Sequence, residues 1–347
     1  MKASETKADW PTFFIVGNSR SGTTMMMRIA NNHSEVHSIN EPHFFEKLWS
    51  PDDGEKSISR KEAFQLYAKL FTGQRAGFFE PVEKHVESYR SETESILGSY
   101  DQPLSRLGVY RHFIHYEARK NGKSIPCEKT PQNVFYISEI LEHFPNARII
   151  NMVRDPRGVM LSQKRKWKRK FLGADFITRR EMWRLRINYH PITISKLWNA
   201  AIGAVQAFEG EARLMNVRFE DLLAEPEETV KAICNFLGIA YEAEMLLVPH
   251  AGSSSEADRK DSLGIKKTRA KGWLDKGLSH TEIGICQRTC KKYMDQYGYE
   301  AIDVKSRVLA NAWHHLNFPF KIALALIVNV KRMRSIGDTL KRRLSPK

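Results

Sequence analysis

The spacing of apolar and polar positions changes several times along this chain, and each change marks an element. TFFIVG, residues 12–17, is an unbroken apolar, β-prone run ending at glycine, which predicts a buried strand. SGTTMMMRIANN then reads as a helix with Ser21 near its start. ARIINMV, residues 147–153, predicts a second buried strand, and in the following RDPRGVMLSQKRKW Pro156 opens a helix. Between them SIPCEK reads as a short strand and NVFYISEILEHF as a helix. ARLMNVRFEDLL reads as strand then helix, and PEETVKAICNFLGI as a helix begun by Pro226 and ended by Gly238. Residues 250–272 are polar and rich in Ser and Gly, the composition of a mobile loop, and SHTEIGICQRTCKKYMDQYGY predicts a closing helix.

Strands alternating with helices in this way imply an α/β fold: three layers, P-loop-like, with a central, mainly parallel sheet flanked by helices. Ligands of such sheets bind at the carboxyl ends of the strands, where the strand order reverses. The loops after Gly17 and Val153 belong to that edge.

Composition adds limits. The 347 residues are 41% apolar and 27% charged, an ordinary globular balance without repeats or low-complexity blocks. The pattern divides into a main domain over 8–300 and a basic, amphipathic helical extension over 301–347. Four scattered cysteines make no disulfide framework, and Cys286 and Cys290 read as a helical pair without metal partners. The first residues lack a signal-peptide pattern, and the longest apolar run near the end, IALALIVNV at 322–330, is far short of the ~20 residues that span a bilayer. A soluble, cytoplasmic protein is the corresponding expectation. Net charge is +15, from 55 basic and 40 acidic side chains, and it favours anionic partners. The excess concentrates in QKRKWKRK at 163–170 and in the tail from Lys321, whose apolar front and basic back suit peripheral contact with a membrane surface or docking on a protein. No nucleic-acid module accompanies the charge, so nucleic acid is not an expected partner.

The candidate chemistry starts at GNSRSGTT. Gly17, Gly22 and Thr24 fit a phosphate-binding loop, whose amides at a helix N-terminus hold an anion. Position 23, which carries lysine in a nucleotide triphosphatase, holds threonine, and the cation has moved to Arg20. Such a loop binds a diphosphate-like group while the metal-dependent apparatus is dismantled. In VRDPRGVMLSQKRKW, Arg154 at a strand end and Ser162 two helical turns later are placed for a second, separate phosphate.

With those two motifs the chain resembles the sulfotransferases that use 3′-phosphoadenosine-5′-phosphosulfate (PAPS). NSRSGTT resembles their 5′-phosphosulfate loop, and Arg154, the RDPR turn and Ser162 resemble their 3′-phosphate motif. EKTPQN, RFEDLLAEPEETVKAICNFLGI and KGWLDKGLS continue the likeness across about residues 12–300. The resemblance implies transfer of the PAPS sulfuryl group to a hydroxyl-bearing acceptor without a metal. Arg20, Ser21, Gly22, Thr23 and Thr24 would hold the 5′-phosphosulfate, and Arg154 and Ser162 the 3′-phosphate, with Lys166 extending that site. Glu41 stands twenty-one residues after Arg20, a spacing similar to the tyrosylprotein branch, where a glutamate is the base. His43 is the other candidate base, since cytosolic members use histidine. Lys129 of EKTP would stabilise charge on the bridging oxygen alongside Arg20, with Glu128 placed to orient either. Lys266 and Lys267, ahead of Trp273, align with a further 3′-phosphate grip, and Phe219 stands where relatives pack a tyrosine against adenine. Two rivals remain: a P-loop kinase, and a non-catalytic nucleotide- or polyanion-binding protein. The acceptor is not legible. Residues 42–100 and 170–195 match no pattern, and Phe44, Phe45, Trp49, Phe78, Phe79, Trp167, Trp183 and Tyr189 are candidates for a cleft or for core.

Overall fold

The computed structural model describes residues 11–330, apart from 78, 79, 102, 176, 267–271, 275 and 276, together with 337 and 342. Strand β1 (Thr12–Gly17) leads into helix α1 (Thr23–Asn31) and strand β2 (Val36–Asn40). Helices α2 (Arg60–Phe71), α3 (Arg90–Gly98) and α4 (Arg106–Lys120) follow before strand β3 (Ile125–Lys129). Then come α5 (Ile137–His143), β4 (Ala147–Val153), α6 (Pro156–Lys164), α7 (Arg179–Ile187) and α8 (Pro191–Gln206). Strand β5 (Leu214–Arg218) is followed by α9 (Phe219–Ala224) and α10 (Pro226–Leu237), and a short hairpin of β6 (Pro249–His250) and β7 (Arg259–Leu263) precedes α11 (His280–Gln296) and α12 (Val308–Asn329).

The main sheet is parallel throughout, in the order β2-β3-β1-β4-β5. Every residue of β1 is buried. Its side chains alternate between two cores, as strand geometry requires: Phe14 and Val16 pack with α2 and α4, Phe13 and Ile15 with α1 and α10. That double burial puts β1 at the centre and its outgoing loop at the point where the chain switches from β3 on one side to β4 on the other. The fold is the three-layer, P-loop-like architecture that the alternation of elements implies. A third apolar cluster joins α6, α8 and α11 around Trp198, and Cys286 and Cys290 are buried, unbridged members of it.

Two expectations need correction. NVFYISEILEHF is not one helix: a 3-10 turn over Pro131–Phe135 comes first, and α5 begins at Ile137. The turn is fixed by Asn133, whose amide donates to the buried Glu128 carboxylate (2.7 Å). Residues 250–272 are not simply a loop, because they contribute the antiparallel β6–β7 pair, and residues 249–254 are strapped to α1 and the loop before it. Arg28 donates to the Ala251 carbonyl (2.8 Å), and Arg20 to the Gly252 carbonyl (3.0 Å).

Candidate active site

The loop from Gly17 to Thr24 is shaped by close contacts. Gly17 has φ +136°, and a Cβ there would stand 2.5 Å from the Met152 carbonyl oxygen. Gly22 has φ +97°, and its Cβ would meet the Phe219 ring at 2.4 Å. Only glycine tolerates both the backbone and the space. Gly22 caps α1, whose first helical hydrogen bond runs from Met26 N–H to the Gly22 carbonyl. The amides of Thr23 and Thr24 therefore face the end of the helix without helical partners, the setting that attracts an anion. Ser21 is fully buried, and its Oγ makes no hydrogen bond. A buried hydroxyl left unsatisfied is costly, and a phosphate oxygen would relieve it.

Arg154 is held over the same loop. Its Nη1 donates to the Arg20 carbonyl (3.1 Å), and its guanidinium lies 4.4 Å from the centre of the Phe219 ring. The turn that presents it is braced on every side. Asp155 accepts from the Arg157 amide (2.8 Å) and pairs with its guanidinium (2.7 Å), and Arg157 stacks on Trp273 at 3.9 Å. The Asp155 amide donates to Glu220 (3.1 Å), which also accepts from Tyr299 (2.9 Å). Trp198 donates to the Arg154 carbonyl (2.9 Å). The motifs around 219 and 273 thus brace the arginine. Phe219 is buried between Gly22 and Arg154, which makes it a support for the loop rather than an open adenine platform.

Arg20 joins what the sequence keeps apart. Its Nε donates to Ser162 Oγ (2.8 Å) and its Nη2 to Ser254 Oγ (2.9 Å), while the two serine oxygens lie 3.3 Å from each other. The candidate 5′ and 3′ groups therefore meet at one guanidinium. Burial, then the charges of Arg169 and Arg154, lowers Arg20 to about 10, with Glu41 opposing. Burial is the larger cause, and the neighbouring guanidiniums of Arg169 and Arg154 add a repulsion that an anion would relieve.

Glu41 and Lys129 end adjacent strands, and the Glu41 amide donates to the Lys129 carbonyl (2.9 Å). Their side chains pair, Lys129 Nζ to Glu41 Oε1, at 2.5 Å. Lys129 is 2% exposed and Glu41 37%, so the lysine is sunk in the protein while the carboxylate is open to an incoming molecule. His43 Nε2 lies 3.6 Å from the other Glu41 oxygen, and its Nδ1 3.0 Å from Glu46. Burial alone would raise the Glu41 carboxyl, but the hydrogen bonds and charges of His43 and Lys129 outweigh it and hold Glu41 well below the usual carboxylate range. Burial pulls His43 down, yet its two carboxylate partners leave it raised overall. Glu41 is thus held ionised, beside a histidine whose two carboxylate partners favour its protonated form. Among the described residues, the non-glycine positions with left-handed backbone are Arg20 (φ 77°), Glu41 (47°) and His43 (50°). All three belong to this cluster, as strain held at a functional site would.

Lys166 lies within electrostatic reach of Arg20 and Glu41, and burial followed by the Arg20 charge lowers it to about 8. Glu128 does not orient Arg20 or Lys129: it accepts from Thr130 and Asn133, and burial raises it to about 7 against those bonds. Lys266 pairs with Glu256 (3.5 Å), and Lys267 lies outside the described residues. Phe44, Phe45 and Trp49 are core, Trp183 is exposed, and Phe78 and Phe79 lie outside the described residues. Ser254 escaped the sequence reading, its signal no more than one hydroxyl in the GSSS run.

Comparison with known proteins agrees with this architecture. The model of the sulfotransferase family matches residues 11–243, and the chain belongs to that family. Protein-tyrosine sulfotransferase 2 of Gallus gallus is 26% identical over 297 residues, 80% of this chain and 66% of that protein. The protein-tyrosine sulfotransferase of Drosophila melanogaster is 25% identical over 268 residues, covering 74% and 45%. Carbohydrate sulfotransferase 1 of Danio rerio is 25% identical over 166 residues, covering 46% and 39%. The chain thus spans about two thirds or less of the length of these relatives. The sulfotransferase domain of the Synechococcus PCC 7002 olefin synthase superposes with a TM-score of 0.50 over 84% of this chain and 95% of that domain, at 18% identity, and shares the fold.

Proposed function

We propose that this chain transfers the sulfuryl group of PAPS to a hydroxyl of an acceptor. The observation that carries the reading is the junction of Arg20, Ser162 and Ser254 beside the Glu41–Lys129 pair. PAPS supplies an activated sulfuryl group. The amides of Thr23 and Thr24, Ser21 Oγ and Arg20 hold its 5′ end, and Arg154 and Ser162 its 3′-phosphate. Glu41 takes the acceptor proton as the acceptor oxygen bonds to sulfur, and the bond from sulfur to the bridging oxygen breaks. Negative charge then collects on the 5′-phosphate, where Arg20 and Lys129 receive it. His43, bound between the Glu41 and Glu46 carboxylates, orients Glu41, whose more exposed carboxylate is the group presented to the acceptor. Relatives named for tyrosine and for carbohydrate share a hydroxyl as the group modified, which supports a hydroxyl acceptor here without choosing between them. Threonine at 23 in place of lysine disfavours a kinase.

The test is thermal stability with adenosine 3′,5′-bisphosphate and, separately, ATP, each with and without Mg²⁺. A ligand at about a hundred times its dissociation constant adds about 2.7 kcal/mol. Stabilisation by the bisphosphate, indifferent to Mg²⁺, is expected. A response confined to ATP with Mg²⁺ would return the loop to the kinases.

A further inference from the structure

Helix α12 leaves a long apolar stripe uncovered while its polar groups bond to the domain. The side turned to the domain is mixed, with Phe318, Ile322 and Leu326 half-buried beside asparagines. Asn317 Oδ1 is 2.9 Å from His190 Nε2, Asn311 accepts from Arg288 (2.9 Å), and Asn329 accepts from Arg184 (2.5 Å) and donates to Asn188 (2.7 Å). Its outer side carries Leu309, Trp313, Leu316, Phe320, Leu324 and Ile327 at intervals of three and four residues, exposed from 41% at Leu324 to 86% at Leu309. A helix packed on a domain in water turns such a stripe to the core. One left outside marks a contact surface.

We infer that this stripe rests on an anionic lipid surface. No acidic side chain stands between Asp303 and Asp338, whereas Lys305, Arg307, Lys321, Lys331, Arg332 and Arg334 do. The adjoining α7 adds Trp183, 60% exposed, with exposed Arg179, Arg180 and Arg186 around it. Apolar residues on α12, with tryptophan and arginine exposed on the helix packed beside it, match the composition of an acyl boundary under charged headgroups. The helix has 22 residues, about 33 Å, and no described helix is long and apolar enough to cross a membrane. The contact is therefore one of lying along the surface. A second copy fits less well, because the stripe has basic residues at both ends and pairing it with itself in either direction sets like charges against each other. Arg184, which holds Asn329, is also within electrostatic reach of Lys166. The lipid face thus adjoins the segment bearing the site, whichever group that site transfers.

The test uses the full chain in flotation with vesicles of phosphatidylcholine alone and of equal parts phosphatidylcholine and phosphatidylglycerol. Flotation with the mixed vesicles, weakened by salt, is expected. Trp313→Glu with Phe320→Glu should abolish it while the thermal response to adenosine 3′,5′-bisphosphate persists, which shows the variant folded. Lys331→Gln, Arg332→Gln and Arg334→Gln leave the stripe intact and should each weaken binding about fivefold. Wild-type chain that stays with neither vesicle, or that floats equally on both, overturns the inference, as does a glutamate variant that floats like wild type. A dimer that the glutamate variant dissolves, without any flotation, assigns the stripe to a second copy. Loss of the bisphosphate response in the wild-type chain would count against the sulfuryl-transfer reading and leave the flotation result standing.

Discussion

Glu41→Gln changes one oxygen to nitrogen and removes one charge. The amide oxygen can still accept from Lys129, but the counter-charge for that buried ammonium is lost, and the new NH₂ faces His43 where a carboxylate stood 3.6 Å away. A hydrogen bond to a charged group contributes about 1.5–3 kcal/mol. Glu41 is 37% exposed, so solvent screens the pair and part of the bond survives. A loss near the lower end, about 1–2 kcal/mol, follows, or a melting point lower by about 2–6 °C. The pH dependence has a definite sign. A carboxyl whose folded pKa is depressed stabilises the fold above its unfolded value, 4.5, and that contribution disappears only as the pH falls towards the folded value. The wild-type advantage should therefore hold from neutral pH to about 4.5 and fade below it. Bisphosphate affinity, measured by calorimetry, should be unchanged or tighter, since one negative charge near Arg20 is gone. Turnover of PAPS on a panel of phenolic and sugar hydroxyls should fall by about 10²–10⁴ if Glu41 is the base. A variant with intact bisphosphate binding and turnover within about threefold of wild type would refute the assignment.

Gly22→Ala forces a Cβ onto the Phe219 ring at a positive φ, so it should lose about 1–3 kcal/mol of stability and most bisphosphate affinity; an unchanged melting point and affinity would contradict the loop geometry. Ser254→Ala removes one acceptor from Arg20, and turnover should drop about fivefold, corresponding to about 1 kcal/mol, with kinetics equal to wild type as the opposing result. Lys166, held at about 8 against its ordinary 10.5, destabilises the fold while charged; Lys166→Met should be more stable than wild type at pH 7, lose that advantage between pH 8 and 10.5, and bind the bisphosphate less tightly. A methionine variant less stable at pH 7 would show that the lysine is satisfied where it lies.

Strands β1 and β4 were legible because both faces are buried and the apolar runs are continuous, and α10 because proline and glycine mark its ends. Strand β2, VHSIN, mixes polarity at the sheet edge and reads as nothing in particular, although it delivers Glu41. The pairing of Glu41 with Lys129, 88 positions apart, follows only once β2 and β3 are known to be neighbours. Ser59 and Glu62 form a capping box that starts α2, a local signal present in SRKE and overlooked in a stretch that resembled no known pattern. The two phosphate motifs were readable one at a time from spacing and residue type. Their meeting at Arg20 and Ser162 was not, because 142 positions separate them and the bond depends on β1 and β4 lying side by side. Ser254 depends on a hairpin whose polar sequence carries little periodicity.

Isotope transfer from sulfur-labelled PAPS, run with wild-type chain and Glu41→Gln against a panel of hydroxyl-bearing acceptors, bears most directly on the central claim. The account predicts label on an acceptor with release of adenosine 3′,5′-bisphosphate by the wild type, and loss of transfer in the variant with bisphosphate binding retained. Tight bisphosphate binding with no label transferred by the wild type to any acceptor, and identical behaviour of the variant, would contradict it and make the chain a binding protein built on this fold.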